Sequence, residues 1–377
     1  MRFVRHVLVP CCLFLALEGC KPRAEPEPIL IGHVAPFSGP ERMRGEQARQ
    51  AILLAVEHVN KEENRIGQRR VGVLHIDVHE NLEALQPATV RLIKVNQVVA
   101  LLGGGSAAQV EQVGRAAQPY QVGLITPAAV PTEVLGENVF SINASLGFQG
   151  QVLARFAATD LKAARAAILA DGRRAASLDL AEAFSKEFSK GGGQAPRQCV
   201  YKSAADLPAA VLDSKAATPQ VICYAGTAVD LPNARKALQD AGLTTPLLWA
   251  ADAEQRAFEP SSKATADIYF ATLYPSEGGT PEQQAFAKEY KDRFLEPPST
   301  EGLLAYDGSQ VLLQAVRRAK TIEAAKVLAE LAGGEDFDSL TGRLAFSKDH
   351  AARRPLFVVR LENGVMRDAK RFDPTTK

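Results

Sequence analysis

From Ile29 onward, short apolar runs alternate with longer amphipathic ones. ILIGHVAPF, VGVLHIDV, VVALLGGG and VGLITPAA have the length and composition of strands, and the stretches 46–60, 84–96 and 107–117 between them carry apolar residues at helical spacing. The rhythm restarts after residue 147. There AAILAD, QCVYK, VICYAG and LLWA read as strands, separated by helices over 178–190, 207–216 and 229–242. Strands joined by helical crossovers build parallel sheets covered on both faces. The fold class is therefore α/β, with two doubly wound parallel-sheet lobes. Two later helices, over 281–294 and 301–319, precede a hairpin-like ending, LTGRLAFSKDH and PLFVVRLENG, with Gly342 and Gly364 at turns.

Ligands of open parallel sheets bind outside the carboxyl ends of the strands, beside the switch in strand order. This directs attention to the loops 36–45, 103–107, 126–131, 171–177, 225–230 and 250–254.

The chain has 377 residues, of which 44 are basic and 43 acidic, for a formal charge of +1. No long-range field would concentrate nucleic acid or an anionic surface, so partners are recognised locally. Residues 1–20 stand apart: Arg2 and Arg5 precede an apolar run, Val7 to Leu17, that is too short to span a bilayer and has the flanks of a signal peptide. Its end, LEGC, looks like a bacterial lipobox, with Glu18 replacing the usual small residue, and points to a mature chain beginning at a lipid-modified Cys20. The Pro-rich KPRAEPEP, 21–28, suits a linker between anchor and domain. With Cys11 and Cys12 in the removed segment, Cys199 and Cys223 remain. They fall on the second and third strands of the second half. In a 2-1-3 strand order the first strand holds them about 9–10 Å apart, whereas a disulfide needs Cα atoms within about 7 Å. Two free thiols are expected.

The turn LLGGGSAAQ, 101–109, admits four chemical readings. Gly103, Gly105 and Ala108 fit a dinucleotide fingerprint, but the next strand ends in ITPAA without the acid that would hold a ribose. No Gly-Lys-Ser/Thr follows, as a Walker loop requires. An esterase elbow at Ser106 would need a histidine later in the chain, and only His350, in SKDHAARR, follows it. The fourth reading is an unreactive turn whose hydroxyl and helix-start amides face an anionic group; Ser106 also suits a simple helix cap. Elsewhere, HIDVH puts His75, Asp77 and His79 on one face of a strand at steps of about 6.6 Å. No fourth zinc ligand is visible, and in the 2-1-3 order this is an edge strand, where polar side chains guard against aggregation. No metal and no cofactor is expected.

The ordered set IGHVAPFSGP with Gly45 soon after, AILLAVEHVN, DVHENLEALQPATVRLI, LLGGGSAAQ followed by GLITPAAV, DAGLTTPLLWA, AYDGSQVLLQAVRRA and LTGRLAFS resembles the type I periplasmic binding proteins of the branched-chain amino-acid (leucine/isoleucine/valine-binding) family. The resemblance runs from about Ile29 to the C-terminus. It implies lobes of 29–145 plus 275–352 and 146–274 plus 353–377, joined by three crossings near 145, 274 and 353, that close on a ligand by hinge motion. It also implies that Ala107 stands where the family's turn supplies a hydroxyl to the ligand, with Ser106 one residue away, that a backbone carbonyl at Ala128 meets the ligand ammonium, and that an acid from the other lobe at Asp252 completes that site. The chain departs from the family where Val130 replaces the usual Thr, where DGRRAAS lacks an aromatic, and where Thr227 stands in place of a second tyrosine. Arg173 and Arg174 near the cleft suit either an acidic ligand or plain surface. The implied role is a lipid-anchored extracytoplasmic protein without catalytic residues. It would capture a small polar, amino-acid-like ligand for the membrane subunits of an ABC importer, with no nucleic-acid partner. The alternative is a sensor or assembly lipoprotein with a diverged cleft.

Overall fold

The computed structural model describes residues 26–39, 41–62, 66–78, 82–227, 229–250, 267–275, 279–362 and 365–374. Cys20, His79, Asp252 and Gly364 lie outside them. Strands β1 (Ile29–Ala35), β2 (Val71–Asp77), β3 (Ala100–Gly103), β4 (Leu124–Thr126) and β5 (Val139–Ala144) pair in parallel in the order 2-1-3-4-5. The second half repeats this order: β6 (Ala166–Asp171), β7 (Arg197–Tyr201), β8 (Val221–Ala225), β9 (Leu247–Ala250) and β10 (Ile268–Thr272) are arranged 7-6-8-9-10. The two lobes have the α/β, doubly wound organisation that the alternating pattern predicts.

The interior strands are apolar throughout because helices cover both faces. In β1, Ile29 and Ile31 join one apolar cluster while Val34 joins another. The first sheet is covered on one side by α1 (Arg42–Lys61), α8 (Pro281–Phe294) and α9 (Thr300–Ala319), and on the other by α2 (Leu85–Lys94) and α3 (Ala107–Ala117). In the second, α4 (Leu146–Thr159) and α5 (Ala175–Lys190) pack together on one face, opposite α6 (Leu207–Lys215) and α7 (Leu231–Asp240). The pattern passed over α4, β5 and β10. Helix α4 carries two glycines and follows β5 after a single capping residue, so no polar turn announces it.

Cys199 and Cys223 are buried and free. Strand β6 separates them, and because Cys199 pairs with Leu169 while Cys223 pairs with Ile168, they also face opposite sides of the sheet. Burial pushes the Cys199 thiol up to about 12 and raises that of Cys223 as well, so both stay protonated.

The hairpin expected at the C-terminus is divided between the lobes. Strand β12 (Gly342–Phe346) lies between β11 (Phe337–Ser339) and β13 (Ala351–Arg353) in the first sheet, whereas β14 (Leu356–Glu362) pairs with β10 and with β15 (Val365–Phe372) in the second. The cause is Arg354-Pro355 between β13 and β14. Proline lacks the N–H that would continue a ladder, and Arg354 turns inward with 0 % exposure.

This arginine joins the three passages between sheets. Its Nη1 donates to the carbonyl of Ile142, near the end of β5, at 3.1 Å, and its Nη2 contacts Tyr274, just past β10, at 3.2 Å. Nη2 also donates to Asp307 Oδ2 on α9 at 2.5 Å and to Thr341 Oγ1 at 2.8 Å. Tyr274 donates to the same Asp307 oxygen at 2.6 Å, and Asp307 Oδ1 accepts from the Leu340 amide at 2.7 Å. Burial raises the Tyr274 phenol well above its ordinary value and keeps that donor protonated. Removing one member of a buried pair strands the other without compensation. Arg354→Leu is expected to cost about 3–5 kcal/mol in urea unfolding, and Arg354→Leu combined with Asp307→Leu to cost less than the single change.

Candidate functional site

A cavity of about 290 Å³ opens at the carboxyl ends of β1, β3 and β4, between the sheet and the first turns of α1 and α9. It lies where the strand order switches from β1 to β3, the position at which ligands of doubly wound sheets sit. Ala48, Ile52, Leu102, Ile125, Leu304 and Ala305 line it with apolar groups, while Ser106, Gln109, His33, Glu41, Arg44 and Glu301 contribute the polar ones.

Two glycines create the approach. Gly103 has φ +124, and a Cβ there would lie 2.0 Å from the Val34 carbonyl oxygen, so only glycine lets β3 turn against β1. A Cβ on Gly45 would lie 1.8 Å from the Pro36 carbonyl oxygen; without it, the first turn of α1 rests directly on the loop after β1. Beyond Gly103 the chain enters α3 through Ser106. Its hydroxyl caps the helix by accepting from the Gln109 amide at 3.4 Å, while Gln109 Oε1 accepts from the Gly105 amide at 2.9 Å. Ser106, Ala107 and Ala108 are exposed, Ser106 lines the cavity, and the first amides of α3 have no intrahelical acceptor. The loop after β4 is held from below. Thr126 Oγ1 donates to the Gly104 carbonyl at 2.9 Å, and Ser141 Oγ donates to the Ala128 carbonyl at 2.9 Å. A carbonyl has a second lone pair, so Ala128 can still accept from a ligand.

The structure brings Ser106 to the cavity wall. Ala107 opens α3 beside it, and Ala128 sits in the next loop, half-buried. The Val130 side chain is buried in the apolar cluster with Val34, Leu101 and Val110, on the sheet face opposite the cavity. Thr227 lies at the carboxyl end of β8, where its Oγ1 accepts from the Asp230 amide at 3.1 Å and its carbonyl accepts from the Tyr224 hydroxyl at 3.0 Å. Asp252 is outside the described residues.

Two arginines shape the charge at the carboxyl ends of the two sheets: Arg44, which the sequence did not single out, and Arg173, which it did. Arg44 bridges Glu41 at 2.8 Å and Glu301 at 3.2 Å across the mouth of the cavity. At the carboxyl ends of the second sheet, Arg173 clasps both Asp171 oxygens at 2.8 Å and reaches Asp230 at 2.7 Å. The hydrogen bonds from Arg173 hold the Asp171 carboxyl below the ordinary carboxylate range. No motif spacing marks Glu301 as a partner of Arg44, because the two are 257 positions apart.

The other candidate constellations are placed as follows. His350 stacks on Phe140 with centroids 4.2 Å apart and donates from Nδ1 to the Gly136 carbonyl at 2.9 Å; it does not line the cavity with Ser106. His75 Nδ1 faces His33 Nδ1 at 2.9 Å, and an Asp77 oxygen accepts from the Phe37 amide at 2.9 Å. Among the described residues no group of three or more His, Cys, Asp or Glu side chains is placed to hold a metal ion.

Residues 28–365 match the family model of the periplasmic binding proteins. The chain is 25 % identical over 351 residues to Leu/Ile/Val-binding protein homolog 3 of Brucella melitensis, covering 87 % of this chain and 90 % of that one. Among solved structures, the branched-chain amino acid transporter substrate-binding protein LivJ of Streptococcus pneumoniae, in complex with isoleucine, superposes with a TM-score of 0.75 at 21 % identity, over 92 % of this chain and 100 % of that one. A solute-binding protein of an ABC transporter from Rhodopseudomonas palustris, in complex with 3,4-dihydroxybenzoic acid, superposes with a TM-score of 0.72 at 17 % identity, over 92 % and 98 % of the two chains.

The histidine pair makes stability depend on pH. Burial lowers His33 well below its ordinary value and His75 to about 4, with Arg49 pushing both further down. A histidine depressed on folding contributes stability above its unfolded value, near 6.5, and loses it as pH falls through the folded one. The thermal midpoint is expected to drop between pH 6.5 and 4, and His75→Gln to flatten that slope in melts recorded across the range.

Proposed function

The chain belongs to the periplasmic binding protein family, and on that premise we propose that it captures a small polar solute, an amino acid or a relative, and presents it to the membrane subunits of an ABC importer. The observation that carries the proposal is the cavity at the β1/β3 switch, whose rim is formed by Ser106 and the amino end of α3. A helix start with free amides suits a carboxylate. The ligands named for the pneumococcal and Rhodopseudomonas structures, isoleucine and 3,4-dihydroxybenzoic acid, share that group.

In this reading the ligand carboxylate meets Ser106 and the amide of Ala107, and its ammonium meets the Ala128 carbonyl and Asp252. Val130 contributes through its main chain and Thr227 from the facing lobe. The lobes are 29–145 plus 275–352 and 146–274 plus 353–377, and they close about the three passages that Arg354 joins. The protein works outside the cytoplasm, held to a membrane through a lipid on Cys20, with 21–28 as the tether. Cys20→Ala is expected to move it from the membrane fraction to the soluble one on cell fractionation; an unchanged distribution counts against the anchor.

Ligand capture is tested by thermal shift of the protein lacking residues 1–20, against amino acids, small acids, amides and polyamines. A ligand at a hundred times its dissociation constant adds about 2.7 kcal/mol, a shift of several degrees. One class is expected to stabilise the wild type, and Asp252→Ala to lose that shift if the ligand is an amine. A flat response across the panel favours a sensor or assembly lipoprotein with a diverged cleft.

A further inference from the structure

One polar side chain in the cavity has no structural use for half of its hydrogen-bonding capacity. His33 projects from β1 on the same face as Ile29 and Ile31, toward α1 and α9, and is 2 % exposed. Its ring meets Phe37 and His75 edge-on, and its Nδ1 lies 2.9 Å from His75 Nδ1. Its side-chain hydrogen bond runs through Nδ1, Nε2 is not among the fully buried polar atoms left unpaired, and the ring lines the cavity beside Leu102, Ile125 and Leu304. A ligand that covers the ring takes Nε2 out of water, and a polar atom covered without a hydrogen bond carries a desolvation penalty that packing does not offset. The imidazole is neutral, since burial and the neighbouring His75 and Arg49 disfavour its charge.

A neutral pair joined Nδ1 to Nδ1 shares one proton between those atoms. If His33 donates it, His33 Nε2 is a bare acceptor; if His75 donates it, His33 Nε2 carries the hydrogen. The pair can thus offer the cavity either an acceptor or a donor without taking up charge.

We propose that His33 Nε2 is a specificity contact: the captured solute carries a hydroxyl, carbonyl or amine at the end of a short apolar segment, with the segment against Ile52, Leu102, Ile125 and Leu304 and the polar end on His33. This rests on the solute-capture reading and narrows it, since a purely aliphatic side chain leaves the imidazole unpaired. Sites built around a buried hydrogen-bonding group discriminate strongly against analogues that lack it.

The test is calorimetric binding of pairs that differ by one hydroxyl: valine and threonine, phenylalanine and tyrosine, benzoate and 4-hydroxybenzoate. In at least one pair the hydroxylated member is expected to bind at least about tenfold tighter. His33→Phe, which keeps a ring and removes both nitrogens, should abolish that preference, and His33→Gln should retain part of it. A readout independent of any variant is the ¹⁵N imidazole spectrum of the unaltered protein, in which the His33 Nε2 signal should move with the hydroxylated member of the pair and not with the other. Equal or tighter binding of the apolar members, a preference untouched by His33→Phe, or an unmoved Nε2 signal overturns this inference alone. If no member of any pair binds while another compound of the wider panel stabilises the protein, this inference falls alone; if nothing in the panel binds either, it falls together with the solute-capture reading.

Discussion

The buried ion pair of Arg354 and Asp307 is the constraint on which the two-lobed arrangement rests. A guanidinium with no access to water must find its counter-charge and its hydrogen-bond acceptors within reach. Here they come from the first passage through Ile142, the second through Tyr274, and the long helix α9 through Asp307. Three segments far apart in sequence are thereby held to one point. The same helix delivers Glu301, Leu304 and Ala305 to the cavity within two turns of Asp307. The passages between the sheets and the cavity therefore share one helix.

Charge is handled alike in both lobes. At the carboxyl ends of each sheet an arginine is bracketed by two carboxylates, Arg44 by Glu41 and Glu301, and Arg173 by Asp171 and Asp230. These cations are already spent on their own acids. Besides them, the cavity wall carries the Ser106 hydroxyl, the Gln109 amide and the neutral His33 imidazole. The glycine turn fits this division of labour: it brings bare backbone and a helix start to the opening and supplies no nucleophile-and-base pair, since the side chain of His350 is committed to Phe140 and Gly136.

Much of the architecture was legible along the chain. Apolar runs of strand length alternating with helical spacing specify parallel sheets, because crossovers force both faces of each strand to be buried, and the structure has the 2-1-3 order on which the separation of Cys199 from Cys223 depends. Gly103 and Gly104 of LLGGGSAAQ mark the turn and Gly45 the close approach, since a side chain at those positions meets a positive φ or a neighbouring atom too closely. The C-terminal strands misled because LTGRLAFS and PLFVVRL look alike as isolated strands; which sheet each joins is decided by Arg354-Pro355 between them. Val130 was legible as a missing hydroxyl, but the direction of its side chain, into the core and away from the cavity, depends on the twist of the loop that carries it.

The sequence alone determined the fold class, the repeated strand rhythm and the loops where a site must lie, which follow from local periodicity and the geometry of single elements; the free thiols required the strand order as well. Only the tertiary structure decided that Arg44 meets Glu301, that His33 faces His75 at the cavity wall, and that one buried arginine joins every passage between the lobes. These contacts bring together residues tens to hundreds of positions apart, and nothing in the local pattern encodes such a meeting. It arises when packed layers leave a polar group no other partner.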